Sequence, residues 1–244
     1  MKPIWIIATK ELNSFFNSLI AYILLVAYLG VSGFFTWLYG NDILMSGQAN
    51  LSPFLSIFGI PNIVLFIIIP ALTMRLIAEE KKSGTIELLL TKPATDRQVV
   101  VGKFLSIVLL LCIAFAFTLP YYFSLASIGN VDHGAILSGY FALILMSSAY
   151  ASIGLFASSL TSNQIVAFLI ALFINVMFHV VFYVLSFFIT GKFGEFFYYL
   201  SVPVHFESIA RGVIDTKDLI YFGSIIVIGL FLSEVSLMKR NIEK

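Results

Sequence analysis

Six apolar stretches run along this chain, separated by polar interruptions of unequal length: Leu19–Tyr39, Phe54–Ile77, Phe104–Ile128, Ala135–Leu160, Ile165–Ile189 and Leu219–Leu237. Each is about as long as a helix that crosses a bilayer hydrocarbon core of about 30 Å. Ahead of them, residues 1–18 alternate at the helical period. Ile4, Ile7, Ala8, Leu12 and Phe15 share one face, Thr9, Lys10, Asn13 and Asn17 lie opposite, and Pro3 suits a first turn. That pattern predicts an amphipathic elbow helix lying in the membrane interface. A signal sequence fits less well, because no apolar core with a small-residue cleavage site follows. The expected fold is an all-α membrane protein.

Within the spans, breakers and polar residues are placed unevenly. Ser52-Pro53 reads as a helix start, and Gly59, Pro61 and Pro70 interrupt the second span. Pro70 and Pro120 are hinge candidates, since proline removes a backbone hydrogen bond inside a helix. The fourth span is rich in small residues (Ser138, Gly139, Ser147, Ser148, Ala151, Ser152, Gly154, Ala157), which let helices approach closely. Only Thr161–Gln164 joins it to the fifth, so those two should be antiparallel neighbours. Asn175 and His179 stand one turn apart in the fifth span. Polar groups at that depth either bond another helix or touch a substrate. Residues 190–218 mix charges with aromatic side chains and predict one or two short interfacial helices, serving as an aromatic belt or a partner surface.

Charge settles the class and the orientation. Only 11% of the 244 residues are charged against 60% apolar, and mean hydropathy is +1.01, whereas soluble domains are about 25% charged. A net charge of +1 gives no support to a nucleic-acid partner. The single Cys112 allows no intramolecular disulfide and no cysteine-built metal site. With six spans, the side that carries both ends and the loop after span two collects eleven of fourteen basic residues, leaving only Lys192, Arg211 and Lys217 opposite. The positive-inside rule makes that side cytoplasmic. Paired charges deep in the spans, expected of an ion-driven secondary transporter, are almost absent.

The loop itself, Arg75–Lys103, is the longest polar interruption and holds six of the fourteen basic residues. Gly84 should end the helix leaving the membrane, and Pro93 forbids continuation at Lys92. Between them Thr85–Thr91 can form a two-turn helix, with Ile86, Leu89 and Leu90 on one face and Glu87 and Thr91 on the other. So short a helix is marginal in water. It packs on its own bundle as a surface loop or docks on a partner. Thr95 and Gln98 form a capping-box pattern that starts the third span, and Glu79 and Glu80 are placed to pair with Lys82 or Lys103. No phosphate-binding glycine loop and no zinc-type ligand spacing occur.

The run Pro70–Arg75, the run Ala78–Leu90 (AEEKKSGTIELLL), Pro93 and Gly102-Lys103 resemble the signature of type-2 ABC transporter permeases. Lys10-Glu11, Phe15-Phe16 and Ala21-Tyr22 are similar to that family's elbow. His205–Glu207, Gly212–Asp218 and Tyr221-Phe222 are similar to its segment before the last span. Leu19 departs from the pattern, in which proline is common there. Within the family the likeness is greatest to the gliding-motility permeases of the GldF group, with the nitrous-oxide-reductase maturation permeases of the NosY group similar in the same motifs. The resemblance implies a non-enzymatic subunit of the bacterial inner membrane that binds no cofactor, ATP and magnesium being held by a separate ATPase. It implies a second permease copy or paralogue and leaves room for an extracytoplasmic accessory subunit. It makes Thr85–Thr91 a coupling helix, with Glu80, Ser83, Gly84, Thr85, Glu87, Leu88, Leu89 and Pro93 as the ATPase-contact set and Glu87 its most exposed member. A membrane anchor that moves no substrate remains the alternative.

Overall fold

The computed structural model describes residues 2–37, 55–57, 59–85, 95–129 and 131–239. Among these the chain is helical, with no strand. Helix α1 (Lys2–Phe16) precedes α2 (Leu19–Trp37), α3 (Ile60–Ser83) and α4 (Asp96–Ala116). Then come α5 (Leu119–Ile128), α6 (His133–Leu160), α7 (Gln164–Val176), a π-helical turn (Met177–Val181) and α8 (Phe182–Phe188). Helices α9 (Lys192–Leu200), α10 (Val202–Ala210) and α11 (Thr216–Lys239) complete the chain. Six helical stretches are long and apolar enough to cross a membrane, with α4–α5 and α7–α8 each counting as one.

Helix α6 is the axis of the bundle. It touches α3, α4, α7, α10 and α11, and most of its length is buried. The small residues explain how. A Cβ on Gly154 would lie 2.1 Å from Thr73 Oγ1, one on Gly139 2.7 Å from Leu55, and one on Gly229 of α11 2.8 Å from Ser152 Oγ. Backbones thus approach closely where no hydrophobic force would press them together. The outer faces of α2, α7 and α11 carry large exposed apolar side chains such as Ile23, Val26, Leu169, Phe173, Val227 and Phe231, as a lipid-facing surface should.

Two helix boundaries differ from the hydrophobic pattern. The second span was expected over 54–77, but its described helix starts at Ile60 with Gly59 as N-cap and a proline in the first turn, and runs on to Ser83. Gly59 and Pro61 therefore begin the helix and do not interrupt it. Hydropathy cannot see the extra turns because their residues, Glu79–Ser83, are polar. Pro70 lies inside that helix, which continues through it. The third span breaks at Phe117–Thr118, and Pro120 sits in the first turn of α5.

Within the expected segment 190–218 lie two nine-residue helices, and its last three residues, 216–218, open α11 instead. Phe193, Phe196, Tyr198 and Tyr199 of α9 are exposed, whereas Val202, Pro203, His205, Phe206 and Ile209 of α10 are buried against α6. His205 fastens the pair to α11. Its Nδ1 is 2.6 Å from Asp218 Oδ1, its Nε2 is 2.8 Å from the Tyr199 carbonyl, and its ring stacks on Tyr221 at 3.9 Å.

Candidate functional site: the roots of the loop after span two

The loop after span two is reached through α3 and returns through α4, and its two roots lie within the described residues. Helix α3 ends where Gly84 takes φ +70°, a left-handed conformation that costs glycine little, with its N–H bonded to the Lys81 carbonyl. Lys81 and Lys82 in the last turn complement the helix dipole. Ser83 Oγ bonds back to the Glu79 carbonyl at 2.9 Å and meets Thr85 Oγ1 at 2.8 Å. On the return side Thr95 and Gln98 form the reciprocal capping box at 3.2 and 3.3 Å.

The roots are braced by one buried lysine. Lys103 Nζ lies 2.7 Å from Glu80 Oε1 on α3 and 3.1 Å from Glu11 Oε1 on α1, with the lysine side chain only 1% exposed. An ammonium without water is stabilised only when it is paired and hydrogen-bonded, and here two carboxylates supply that. Next to it, Gly102 lets α1 settle on α4. A Cβ there would come within 2.8 Å of Ile7. Arg75 of α3 places its guanidinium 5.0 Å from the Phe15 ring of α1. Elbow, exit helix and return helix are thereby joined at one level.

A second clamp ties the exit helix to the axis. Ser158 Oγ of α6 donates to the Met74 carbonyl at 2.9 Å and accepts from the amides of Ile77 and Ala78 at 3.1 and 3.0 Å. Lys81 Nζ donates to the Ser159 carbonyl, which also accepts from Ser236 Oγ of α11 at 2.8 Å. The end of α6 thus holds α3 and α11 together.

Of the ATPase-contact residues expected from sequence, Glu80, Ser83, Gly84 and Thr85 fall in this root. Glu87, Leu88, Leu89 and Pro93 lie outside the described residues. Glu80 faces inward to Lys103, one of the two partners expected for it. Glu11 and Gly102 entered the sequence reading only through the family resemblance, and Ser158 and Ser159 of α6 had no part in it. Glu11 gives no periodic signal, since a carboxylate on an elbow helix looks like any interfacial charge, and a serine at the end of a small-residue helix does not announce a clamp.

The two intramembrane polar residues separate. His179 lies in the π-helical turn, 4% exposed, with Nδ1 hydrogen-bonded to Tyr150 Oη of α6 at 2.5 Å and its ring 5.3 Å from that of Phe66. That is an interhelical bond. Asn175 is fully buried, and neither its amide oxygen nor its nitrogen has a partner among the described residues. No group of three or more His, Cys, Asp or Glu placed to hold a metal occurs among the described residues.

The model of the ABC-2 family transporter protein matches residues 5–198, which takes in the elbow, both roots and the axis helix. The comparison with curated proteins gives no significant match. Members of this family are typically non-enzymatic membrane subunits that work with cytoplasmic ABC ATPases. With six apolar helices, braced loop roots and a family match over most of its length, the chain is a multi-pass membrane protein that belongs to the ABC-2 transporter family.

Proposed function

We propose that this chain is the permease subunit through which a separate cytoplasmic ATPase drives transport or transmits force across the bacterial inner membrane, and that the loop of residues 75–103 is where the ATPase pushes. The observation that supports this most is the Lys103 bridge. A loop that only covered the bundle would gain nothing from a buried ammonium shared by α1, α3 and α4. A loop that receives force needs roots that do not slide against one another. Glu87, Leu88, Leu89 and Pro93 would form the contact, with Glu80, Ser83, Gly84 and Thr85 as its stem, and Pro70 and Pro120 would yield as the spans move. ATP and magnesium would stay on the ATPase. The broad apolar faces of α2, α7 and α11 leave room for a second permease copy or paralogue in the bilayer. The exposed aromatics of α9 offer a surface for an extracytoplasmic accessory subunit.

Among known roles, gliding motility is the one favoured, on the sequence EEKKSGTIELLLTKP together with the elbow and pre-span-six motifs. The orientation, with both ends and the loop cytoplasmic, rests on the eleven basic residues of that side.

The test is co-purification of the chain with its encoded ATPase, comparing association and ATP hydrolysis for wild type and Glu87→Arg. The reading expects hydrolysis to fall several-fold, with weakened association. Unchanged association and unchanged hydrolysis would remove the coupling role, and association without any dependence of hydrolysis on the chain would make it an anchor.

A further inference from the structure

The stripe of α3 that faces α1 and α2 changes chemistry at Arg75. Toward the membrane, Ile68, Ala71 and Leu72 line an apolar groove of about 180 Å³ with Ile23, Leu24 and Ala27 of α2. Toward the cytoplasmic end, Arg75, Glu79 and Glu80 line a polar cleft of about 340 Å³ with Glu11, Ser14 and Phe15 of α1. Positions 68, 71, 72, 75, 76 and 79 recur at helical spacing, so one face of one helix serves both. Arg75 stands at the junction. Phe15 backs its guanidinium, and it forms no salt bridge among the described residues. Glu79 is exposed at the cleft, and Glu80, which also lines it, keeps a buried second carboxylate oxygen without a hydrogen-bond partner among the described residues.

We infer that this groove and cleft together bind one phospholipid of the cytoplasmic leaflet with a primary-ammonium, zwitterionic headgroup. An acyl chain fills the groove, the phosphate meets Arg75, and the ammonium meets Glu79 and Glu80. The order along the stripe (apolar, cation, carboxylates) is the order along such a molecule: acyl chain, phosphate, ammonium. Arg75 and Glu79 are one helical turn apart, about 5.4 Å of rise, and in an ethanolamine headgroup only two carbons separate phosphate from ammonium. Arginine suits a phosphate because its planar fork matches the oxygens. A trimethylammonium headgroup carries no N–H for the carboxylates, and a glycerol headgroup carries no positive charge. Neither completes the stripe. A lipid here would fill the gap between the elbow corner and the exit helix beside the Lys103 bridge. The inference rests on the membrane placement and on the proposed orientation, and stands or falls apart from the ATPase reading.

The full chain, purified in mild detergent and stripped of lipid, is incubated separately with palmitoyl-oleoyl phosphatidylethanolamine, phosphatidylcholine and phosphatidylglycerol, and retained lipid is counted by native mass spectrometry. One retained phosphatidylethanolamine per chain is expected, preferred about tenfold over the other two, the factor one charge-assisted contact carries. Arg75→Gln should lower retention of all three, since the phosphate is common to them, Glu79→Gln should narrow the gap to phosphatidylcholine, and Ala27→Phe should lower retention of all three by filling the groove. Equal retention of the three lipids by wild type means annular lipid only and overturns the inference. So does tighter binding of phosphatidylglycerol, undiminished retention by Arg75→Gln, or a lipid-free dimer in which a second copy covers the groove. Should Ala27→Phe fail to fold, Arg75→Gln, at a partly exposed position, still decides.

Discussion

Single residues set the tolerances of this molecule. Lys103 is the most exacting, because its ammonium is buried between two carboxylates. Lys103→Met leaves Glu11 and Glu80 facing each other at the loop roots. Breaking such a pair costs about 3–5 kcal/mol, which a thermal melt of the purified chain in detergent reads directly. Gly154 is constrained by space alone. Gly154→Ala drives a methyl toward Thr73 Oγ1, and overpacking of this kind costs about 1–3 kcal/mol. Thr73→Ala in the same chain should recover part of that loss, since the two positions are in contact. In the fifth span the polar neighbours are expected to behave oppositely. His179→Phe strips Tyr150 of its bond and leaves a buried hydroxyl unpaired, a loss of about 1–3 kcal/mol, whereas Asn175→Leu removes an amide with no partner among the described residues and should be neutral or stabilising. A melt in which Asn175→Leu unfolds first would show that the amide has a partner or ligand in the membrane.

At the scale of the elements, much could be read in the chain and the remainder has identifiable causes. Spans show because a run of apolar residues of bilayer length has few other uses, and Gly84 and the Thr95–Gln98 box show because caps are local chemistry. The true reach of α3 does not show. Its last turns are polar and are held as helix by contacts from far along the chain, Ser158 and Ser159 on α6 and Lys103 on α4. The break in the third span was visible only as Pro120, although the unwound turn precedes that residue by two positions. The His205–Asp218 pair likewise joins residues that sequence shows merely as charges in a mixed segment. Long-range polar pairs carry no periodicity, so the candidate site was legible as a place before it was legible as a mechanism. Hydropathy found the loop, and only the fold shows what its roots are fastened to.

For the whole molecule, the proposed function implies a lever set in a bilayer. Helix α6 is the axis, α1, α3 and α4 form one braced block at the end that carries the loop roots, and α9 and α10 close the opposite end. An even number of spans puts both ends on the side of the loop. A reporter fused after Lys244 should therefore report cytoplasm, and an extracytoplasmic signal would invert the arrangement. The central claim is that force enters at the loop and is carried by the block. ATP hydrolysis by the complex of this chain with its ATPase, reconstituted in lipid and compared for wild type and Lys103→Met at equal ATPase content, tests it most directly. The account predicts that the variant still holds the ATPase while hydrolysis loses most of its dependence on the membrane chain. A folded Lys103→Met complex with wild-type hydrolysis would contradict it.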